Sequence, residues 1–224
     1  MSERLWNILT EGFTRMLVPG MTVTIPLTVL GFSLAFVIAV AVALVQFAKV
    51  PVLKQVSRLY IWIFRGTPLL VQLYVIYYGL GQVGLRLSPF VAGVLTLGIN
   101  EGAYCAESVR SALESIPVGQ LEAGECVGMT WWQTIRRIIL PQAMRTAFPP
   151  LSNSLIAMVK DTSLVANITV VEMFRATQQI NARVYEPLLL YMEVGLIYLL
   201  FSTVLTWLQR WGEKKLGAYE NRGV

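Results

Sequence analysis

One stretch of this sequence, from Met16 to Ala48, contains no charged residue. A membrane-spanning helix needs about 20 mostly apolar residues, so this stretch alone is long enough to cross a bilayer. The rest of the chain agrees, since 55% of its 224 residues are hydrophobic and 14% are charged, against about 25% charged in soluble domains. A soluble fold of this composition would expose large apolar patches to water. The sequence therefore predicts an all-α membrane protein.

Five stretches are long and apolar enough to span the membrane, and we predict five transmembrane helices. The predicted spans cover residues 20–48, 66–85, 88–110, 149–171 and 187–209. They form a transmembrane domain over residues 19–212, in which a loop over residues 111–148 separates spans three and four. Residues 1–18 are predicted to form an amphipathic helix on the outer membrane interface, with a frayed terminus as the alternative. Residues 213–224 are predicted to form a cytoplasmic tail.

The basic residues are distributed unequally between the two sides of this topology. Twelve lie on the side of the long loop and the tail, and five lie on the other side. The twelve are Lys49, Lys54, Arg58, Arg65, Arg110, Arg136, Arg137, Arg145, Arg210, Lys214, Lys215 and Arg222. Short loops rich in Lys and Arg face the cytoplasm. We therefore predict that the N-terminus lies outside and the C-terminus in the cytoplasm.

The composition also excludes several chemistries. The chain has no histidine and two cysteines, Cys105 and Cys126, so zinc sites built on imidazole and acid–base catalysis by histidine are excluded. The chain contains no Gly-x-x-x-x-Gly-Lys-Ser/Thr phosphate loop, so it does not bind ATP by that route. Its basic residues are scattered between apolar runs, which argues against nucleic acid as a partner. We expect no catalytic residue, no metal and no cofactor.

The loop over residues 111–148 is patterned like two short helices. Loops of this length in compact folds are usually functional. Gly128 interrupts the pattern at a point where glycine lets the backbone turn freely, and Pro141 is predicted to stop the second helix. From the residues alone, the pair of helices either lies on the membrane or docks a cytoplasmic partner.

A resemblance decides between these alternatives. The loop contains Glu122-Ala123-Gly124, three residues, Gly128, nine residues, Ile138, one residue and Leu140-Pro141. This spacing resembles the EAA signature of the permease subunits of ABC importers, and it departs from the signature only at Gly124, where the signature has Ala. The resemblance implies that the segment is the coupling helix, which docks on the ATP-hydrolysing subunit. Loss of the Ala methyl is expected to soften the helix without changing the spacing.

Three further segments resemble the polar amino-acid permeases of type I importers. They are Phe64-Arg65-Gly66-Thr67-Pro68, Gly102-Ala103-Tyr104 with Glu107, and Lys160-Asp161-Thr162-Ser163-Leu164. Within that group, residues 63–69, 140–143 and 149–154 are most similar to cystine permeases, although glutamine and arginine permeases share most of these residues. The resemblance covers roughly residues 18–212.

The resemblance implies a type I ABC importer permease fold in the bacterial cytoplasmic (inner) membrane. It also implies three protein partners besides the lipid bilayer. These are a cytoplasmic ABC ATPase dimer, an external solute-binding protein and a second permease subunit, expected to be identical. The chain itself is then a translocation subunit and not an enzyme.

Ionisable residues inside the predicted spans are the candidates for substrate contact, because each costs at least about 2.5–3.5 kcal/mol at the bilayer centre. At about 1.5 Å per residue, Glu101 and the Lys160-Asp161 pair lie near the midplane. An amino-acid zwitterion needs both signs of charge. We predict that Lys160 and Thr162 receive its carboxylate and that Asp161 or Glu101 receives its ammonium, with Tyr104 nearby. The alternative is a polar network that holds the spans together.

Span four is also predicted to break at its centre, since Asp161-Thr162-Ser163 is typical of a helix N-cap. A restarted helix would present its positive dipole end to an anionic group. Two other acidic residues have structural interpretations. Glu107 is predicted to pair with Arg110 at the inner helix end, and Glu193 to join a network or line the outer entrance.

The predicted function is the permease subunit of an ATP-driven importer of a polar amino acid. Cystine is favoured, and glutamine or a basic amino acid is possible. The alternative is a secondary transporter driven by a proton gradient, in which Glu101, Lys160 and Asp161 would relay protons. The long coupling loop argues against that alternative.

Overall fold

The computed structural model describes residues 3–48 and 50–217, and all regular secondary structure in this part is helical. The all-α prediction is therefore confirmed for the described part of the chain. Met1, Ser2, Lys49 and residues 218–224 lie outside it. The predictions that fall on these residues, including Lys49 and Arg222 as cytoplasmic cations, lie outside the described residues as well.

The chain begins with one helix of 45 residues, Glu3–Phe47. In this helix, α1 (Glu3–Pro19) continues through a π-helical turn (Gly20–Thr24) into α2 (Ile25–Phe47). Apolar side chains of α1 pack against helices from the C-terminal half of the chain. The amphipathic pattern of residues 1–18 is thus used within the bundle, while a position on the outer interface stays a prediction.

The segment after α2 is a bent pair of helices. α3 (Pro51–Gly66) meets a second helical stretch, Leu69–Gln82, at an angle of 106°. This stretch consists of α4 (Leu69–Tyr74), a π-helical turn (Val75–Gly79) and α5 (Leu80–Gln82). Thr67 and Pro68 between the two helices have extended backbone conformations. The bend follows from Pro68, which lacks an N–H and disfavours helical conformation in the residue before it.

The segment before the second predicted span, up to Arg65, was predicted to be a cytoplasmic loop, but it is helical. Its position relative to the membrane stays a prediction. The segment is α3, and Tyr60 Oη in this helix donates a hydrogen bond of 2.6 Å to the carbonyl oxygen of Ile99, well inside the next long helix. Lys54, Arg58 and Arg65 interrupt the apolar sequence, and for this reason the segment was predicted to be a loop. Its large apolar side chains nevertheless lie on its outside, as expected for a helix in lipid.

α6 (Pro89–Glu114) is the central helix and packs along α2. Ala39 and Ala43 of α2, one turn apart, are both fully buried. Small residues on one face let two helix backbones approach closely in a membrane. The approach is tight at Gly98 of α6, where a Cβ atom would lie 2.7 Å from Leu34 Cδ2.

Two short helices, α7 (Gly119–Cys126) and α8 (Trp131–Thr134), follow α6. The chain turns between them at Gly128, whose φ of 76° lies in the left-handed region that favours glycine. The predicted break at Gly128 is therefore confirmed. Thr130 and Gln133 begin α8 with reciprocal hydrogen bonds between side chain and backbone.

The predicted stop at Pro141 was wrong. α8 passes through a π-helical turn (Ile135–Ile139) into α9 (Leu140–Asp161) without a break. A proline cannot donate to the carbonyl of the preceding turn, but the π-helical turn places Pro141 in the first turn of α9, where this loss matters least. The predicted span over residues 149–171 thus starts inside a helix that has already begun.

The remaining elements are a 3-10 helix (Thr162–Ile168), α10 (Met173–Val184) and α11 (Pro187–Gly217). Met173 of α10 packs with Met16 of α1 in a cluster that also includes apolar residues of α11. The first helix, α10 and α11 therefore pack against one another.

By length and apolar composition, two helices in the described part can cross a membrane, Glu3–Phe47 and Pro187–Leu216. The number rises to four if each of two bent pairs, Pro51–Gly66 with Leu69–Gln82 and Trp131–Ile168 with Met173–Val184, is a single span. α6 is not among them. Its neighbours bury much of it, so it does not need an apolar surface all round. The count of five spans and the orientation stay predictions.

Candidate functional site

The candidate site lies where α6 and α9 pack together. Glu101 of α6 is partly exposed, and the thiol of Cys105, one turn further, lies 3.9 Å from Glu101 Oε1. From α9, Ser154 and Asp161 are both close enough to act electrostatically on the Glu101 carboxylate. The structure therefore brings two predicted site residues, Glu101 and Asp161, together from different helices.

Lys160 supplies the positive charge of this surface. Its side chain is exposed on α9 and acts electrostatically on Asp161. In the described part of the chain, no carboxylate lies within salt-bridge distance of Lys160. Charged side chains avoid lipid and face a bundle interior or a water-filled cavity. This surface therefore fits a polar ligand better than it fits lipid.

Thr162 does not join this surface, although we predicted that it would. It is fully buried, and its hydroxyl donates a hydrogen bond of 2.6 Å to the carbonyl oxygen of Val159. The predicted N-cap at Asp161 was also wrong. The Asp161 side chain makes no capping hydrogen bond, and the chain continues directly into the 3-10 helix. The helix dipole proposed for substrate binding at this point is therefore absent.

The helix restarts eleven residues later at Glu172, which the sequence analysis did not identify. Its carboxylate caps α10 by accepting hydrogen bonds from the backbone N–H groups of Phe174 (2.8 Å) and Arg175 (2.7 Å). Tyr198 Oη of α11 donates a third hydrogen bond of 2.7 Å. The Glu172 side chain is fully buried, and these three hydrogen bonds supply its partners. Glutamate is an uncommon N-cap residue, so the sequence carried no clear signal for it.

Tyr104 lies on α6 one turn from Glu101 and is 41% exposed. The guanidinium carbon of Arg65 lies 5.2 Å from the centroid of the Tyr104 ring. Arg65 also acts electrostatically on Glu107 of α6. Arg65 was not among the predicted site residues, because the segment that ends with it was predicted to be a cytoplasmic loop. The sequence did contain a signal for α3, because apolar residues continue at helical spacing between its basic residues.

A buried polar network fixes the turn that carries Arg65. Asn100 Nδ2 donates to the Phe64 carbonyl (3.1 Å) and to Gln72 Oε1 (2.9 Å). Gln72 Nε2 donates to the same carbonyl (2.9 Å) and to Thr67 Oγ1 (2.8 Å). Both amide side chains are buried. The segment that resembles amino-acid permeases is therefore anchored to α6 on both sides of Arg65.

Three other acidic residues of the helices, Glu107, Glu114 and Glu193, contact neighbouring parts of the chain. Arg110 pairs with both Glu107 and Glu114, so the predicted Glu107–Arg110 ion pair is confirmed. Glu193 is 8% exposed, and its Oε2 atom has no hydrogen-bond partner among the described residues. It packs against Gly12 of α1, and the predicted network around it is not seen. In the same part of the chain, no group of three acidic or cysteine side chains is arranged to hold a metal ion.

The predicted coupling residues divide into two groups. Glu122, Ala123 and Gly128 are exposed, together with Trp131 and Trp132. The other group packs inward and consists of Gly124, which is buried, and of Ile138 and Leu140, which are partly buried. Pro141 is exposed within α9. The helix pair therefore presents an exposed surface with acidic and aromatic residues while its inner side joins the main apolar core.

Long apolar helices, charged residues between α6 and α9 and an exposed helix pair define a membrane permease. The chain belongs to the family of binding-protein-dependent transport system inner membrane components, whose model matches residues 31–218. The predicted membership in the amino-acid ABC permeases is confirmed by the relatives below. Subunits of this family perform translocation and are not enzymes themselves, and the family implies an ATPase and a binding protein as partners.

Two relatives and one solved structure define the similarity. The chain is 41% identical over 215 residues to the L-cystine transport system permease protein TcyB of Bacillus subtilis (strain 168), which covers 96% of this chain and 92% of that protein. It is 37% identical over 203 residues to the glutamine transport system permease protein GlnP of Escherichia coli (strain K12), with 90% and 93% covered. A crystal structure of an amino acid ABC transporter with histidines has a TM-score of 0.85 at 32% identity, covering 96% of this chain and 100% of that chain.

Proposed function

We propose that this chain moves a polar amino acid across the bacterial cytoplasmic membrane as the permease of an ATP-driven importer, with cystine as the favoured substrate. The observation that carries the proposal is the surface of α6 and α9, where Glu101, Asp161 and Lys160 place both signs of charge. An amino-acid zwitterion carries the complementary signs. In this proposal the two carboxylates receive the ammonium group, and Lys160 receives the carboxylate group.

The position of these charges supports a pathway between two permease subunits. An exposed surface with both signs of charge has no stable contact with lipid tails. It therefore lines a water-filled passage, which a second copy of the chain completes on the other side. The proposed arrangement has five spans, an external N-terminus and a cytoplasmic C-terminus.

The exposed helix pair supports a docking role. We assign α7 and α8 to contact with a cytoplasmic ATPase dimer, and the opposite side of the membrane to contact with an external solute-binding protein. ATP hydrolysis then occurs in the partner, and it changes the conformation of the permease through this contact.

Similarity supports cystine as the favoured substrate. The identity to a permease named for L-cystine is 41%. The identity to a permease named for glutamine is 37%, which is close enough to keep glutamine or a basic amino acid as alternatives. Cystine has two zwitterionic ends, and its two ammonium groups match the two carboxylates of Glu101 and Asp161.

Uptake by the complete complex in sealed vesicles tests the proposal. Radiolabelled L-cystine should accumulate only with ATP and the binding protein, and accumulation should survive collapse of the proton gradient. Unlabelled glutamine and arginine serve as competitors that rank the substrates. Uptake that needs the proton gradient but not ATP would instead establish a secondary transporter, which is the alternative function.

A further inference from the structure

Arg65 is a cation beside the candidate site to which the proposed function assigns no role. It lies at the C-terminal end of α3 with its side chain exposed. Its guanidinium carbon is 5.2 Å from the centroid of the Tyr104 ring, which is a cation–π distance. Tyr104 is one helical turn from Glu101 on the same side of α6. Arg65 therefore reaches the surface that carries the other site residues.

Hydrogen bonds to the residues on either side of Arg65 in the chain fix its position. The carbonyl of Phe64, the preceding residue, accepts hydrogen bonds from the buried side chains of Asn100 and Gln72. Gln72 also bonds to both the carbonyl and the hydroxyl of Thr67, two residues further along the chain. Supporting hydrogen bonds of this kind hold a binding residue in one orientation. The Tyr104 ring then limits the directions in which the guanidinium can point.

The charge of Arg65 is not met by an acidic residue. No carboxylate in the described part of the chain lies within salt-bridge distance of it. Glu107, on which its charge acts, is already paired with Arg110. A guanidinium group binds a carboxylate through two parallel N–H···O bonds. The ligand that completes this arrangement is therefore a carboxylate.

We propose that Arg65 binds a carboxylate group of the transported amino acid, and that Tyr104 and the Asn100–Gln72 network position it for this contact. The inference rests on the proposed function. With Lys160, it gives the surface two cations, which suits a substrate with two carboxylate groups such as cystine.

Binding of substrate to the purified complete transporter, without the external binding protein, tests this role. The ligands are L-cystine and its dimethyl ester, which keeps both ammonium groups and lacks both carboxylate charges. Arg65→Gln should weaken binding of L-cystine roughly 10- to 150-fold, the range for one charge-assisted hydrogen bond, and leave binding of the ester unchanged. The affinity of Arg65→Lys for L-cystine should fall between those of the wild type and Arg65→Gln, because lysine keeps the charge and loses the paired N–H geometry. Arg58→Gln, an exposed cation on the same helix, is the matched control and should bind both ligands as the wild type does.

The outcomes separate the two proposals. Equal weakening for L-cystine and its ester would make Arg65 a structural residue, and unchanged binding of L-cystine by Arg65→Gln would also overturn the inference. If Arg65→Gln fails to assemble with the ATPase, Arg65→Lys decides the question by the same comparison of the two ligands. A wild-type complex that binds neither cystine, glutamine nor arginine, and drives no ATP-dependent uptake, would overturn the proposed function itself.

Discussion

The contact between Gly124 and Thr134 is expected to make α7 intolerant of the alanine that the EAA signature has at this position. A Cβ atom on Gly124 would lie 2.5 Å from Thr134 Oγ1 and 2.7 Å from Thr134 Cγ2. Thr134 has little freedom to move, because it is 1% exposed and its hydroxyl donates to the Thr130 carbonyl. Overpacking of this kind costs about 1–3 kcal/mol. Alanine gains about 1 kcal/mol in helix propensity over glycine, so the net loss for Gly124→Ala is about 0–2 kcal/mol.

Such a loss should appear as weaker docking of the ATPase subunit. A loss of 2 kcal/mol in the helix pair corresponds to about 30-fold in an equilibrium constant. We therefore expect Gly124→Ala to reduce the affinity for the ATPase, measured with the purified permease in nanodiscs. Gly119→Ala is the matched control on the same helix, since no atom lies within 4 Å of a Cβ at that position. This control should bind the ATPase at least as well as the wild type.

A double mutant tests the cause. Thr134→Ala removes both atoms that the new methyl group approaches, so Gly124→Ala with Thr134→Ala should recover most of the lost affinity. Residues in direct contact show non-additive effects. The steric explanation is refuted if Gly124→Ala behaves like Gly119→Ala, or if the losses of the two single mutants simply add.

Substitutions in three other parts of the structure give further tests. Gly128→Leu should uncouple ATP hydrolysis from uptake, because φ is 76° there, whereas Gly128→Asn should keep coupling, since Asn tolerates this conformation; wild-type uptake in the Leu variant would contradict the assignment. Lys160→Ala and Asp161→Ala should each weaken substrate binding about 10- to 150-fold without changing the unfolding temperature of the complex, and a lower unfolding temperature with normal binding would instead indicate a structural network. Glu172→Ala should destabilise the protein by about 1–3 kcal/mol, because it leaves the partly buried Tyr198 hydroxyl and two backbone N–H groups without their acceptor. Thermal unfolding measures this effect, and an unchanged midpoint would show that water replaces the carboxylate.

Sequence reasoning succeeded where a single physical requirement decided the outcome. An uncharged apolar stretch as long as Met16 to Ala48 forms a helix in a membrane, and α2 lies within this stretch. Gly128 is a second case, because a positive φ at this turn favours one residue type. In both cases a change of neighbours would not alter the local structure.

Sequence reasoning failed where neighbouring elements changed the local outcome. Arg65 was assigned to a loop because charges were taken to lie outside the membrane, while α3 holds it over Tyr104. Thr162 was assigned to the site because Ser, Thr and Asp often cap helices, while its hydroxyl bonds to a carbonyl three residues before it. Glu101 and Asp161 were both predicted to contact the substrate, which stays a prediction, and their proximity depends on how α6 and α9 pack. A single sequence does not specify that packing.

The continuity of the helix from Trp131 to Asp161 links the two functional regions of the proposed importer. The sequence analysis treated the coupling segment and span four as separate helices divided at Pro141, but the structure joins them through a π-helical turn. Ile138, a predicted coupling residue, and the charged residue Lys160 therefore lie on one helical segment of about 45 Å, at 1.5 Å per residue. A helix resists bending except at features such as a π-helical turn or a proline. The π-helical turn and Pro141 lie next to Leu140, and Pro149 and Pro150 lie inside α9 between Leu140 and Lys160. In the proposed importer, a displacement of α8 by the ATPase therefore either moves Lys160 or is absorbed at the π-helical turn or at Pro149 and Pro150. Coupling is retained or lost at these points.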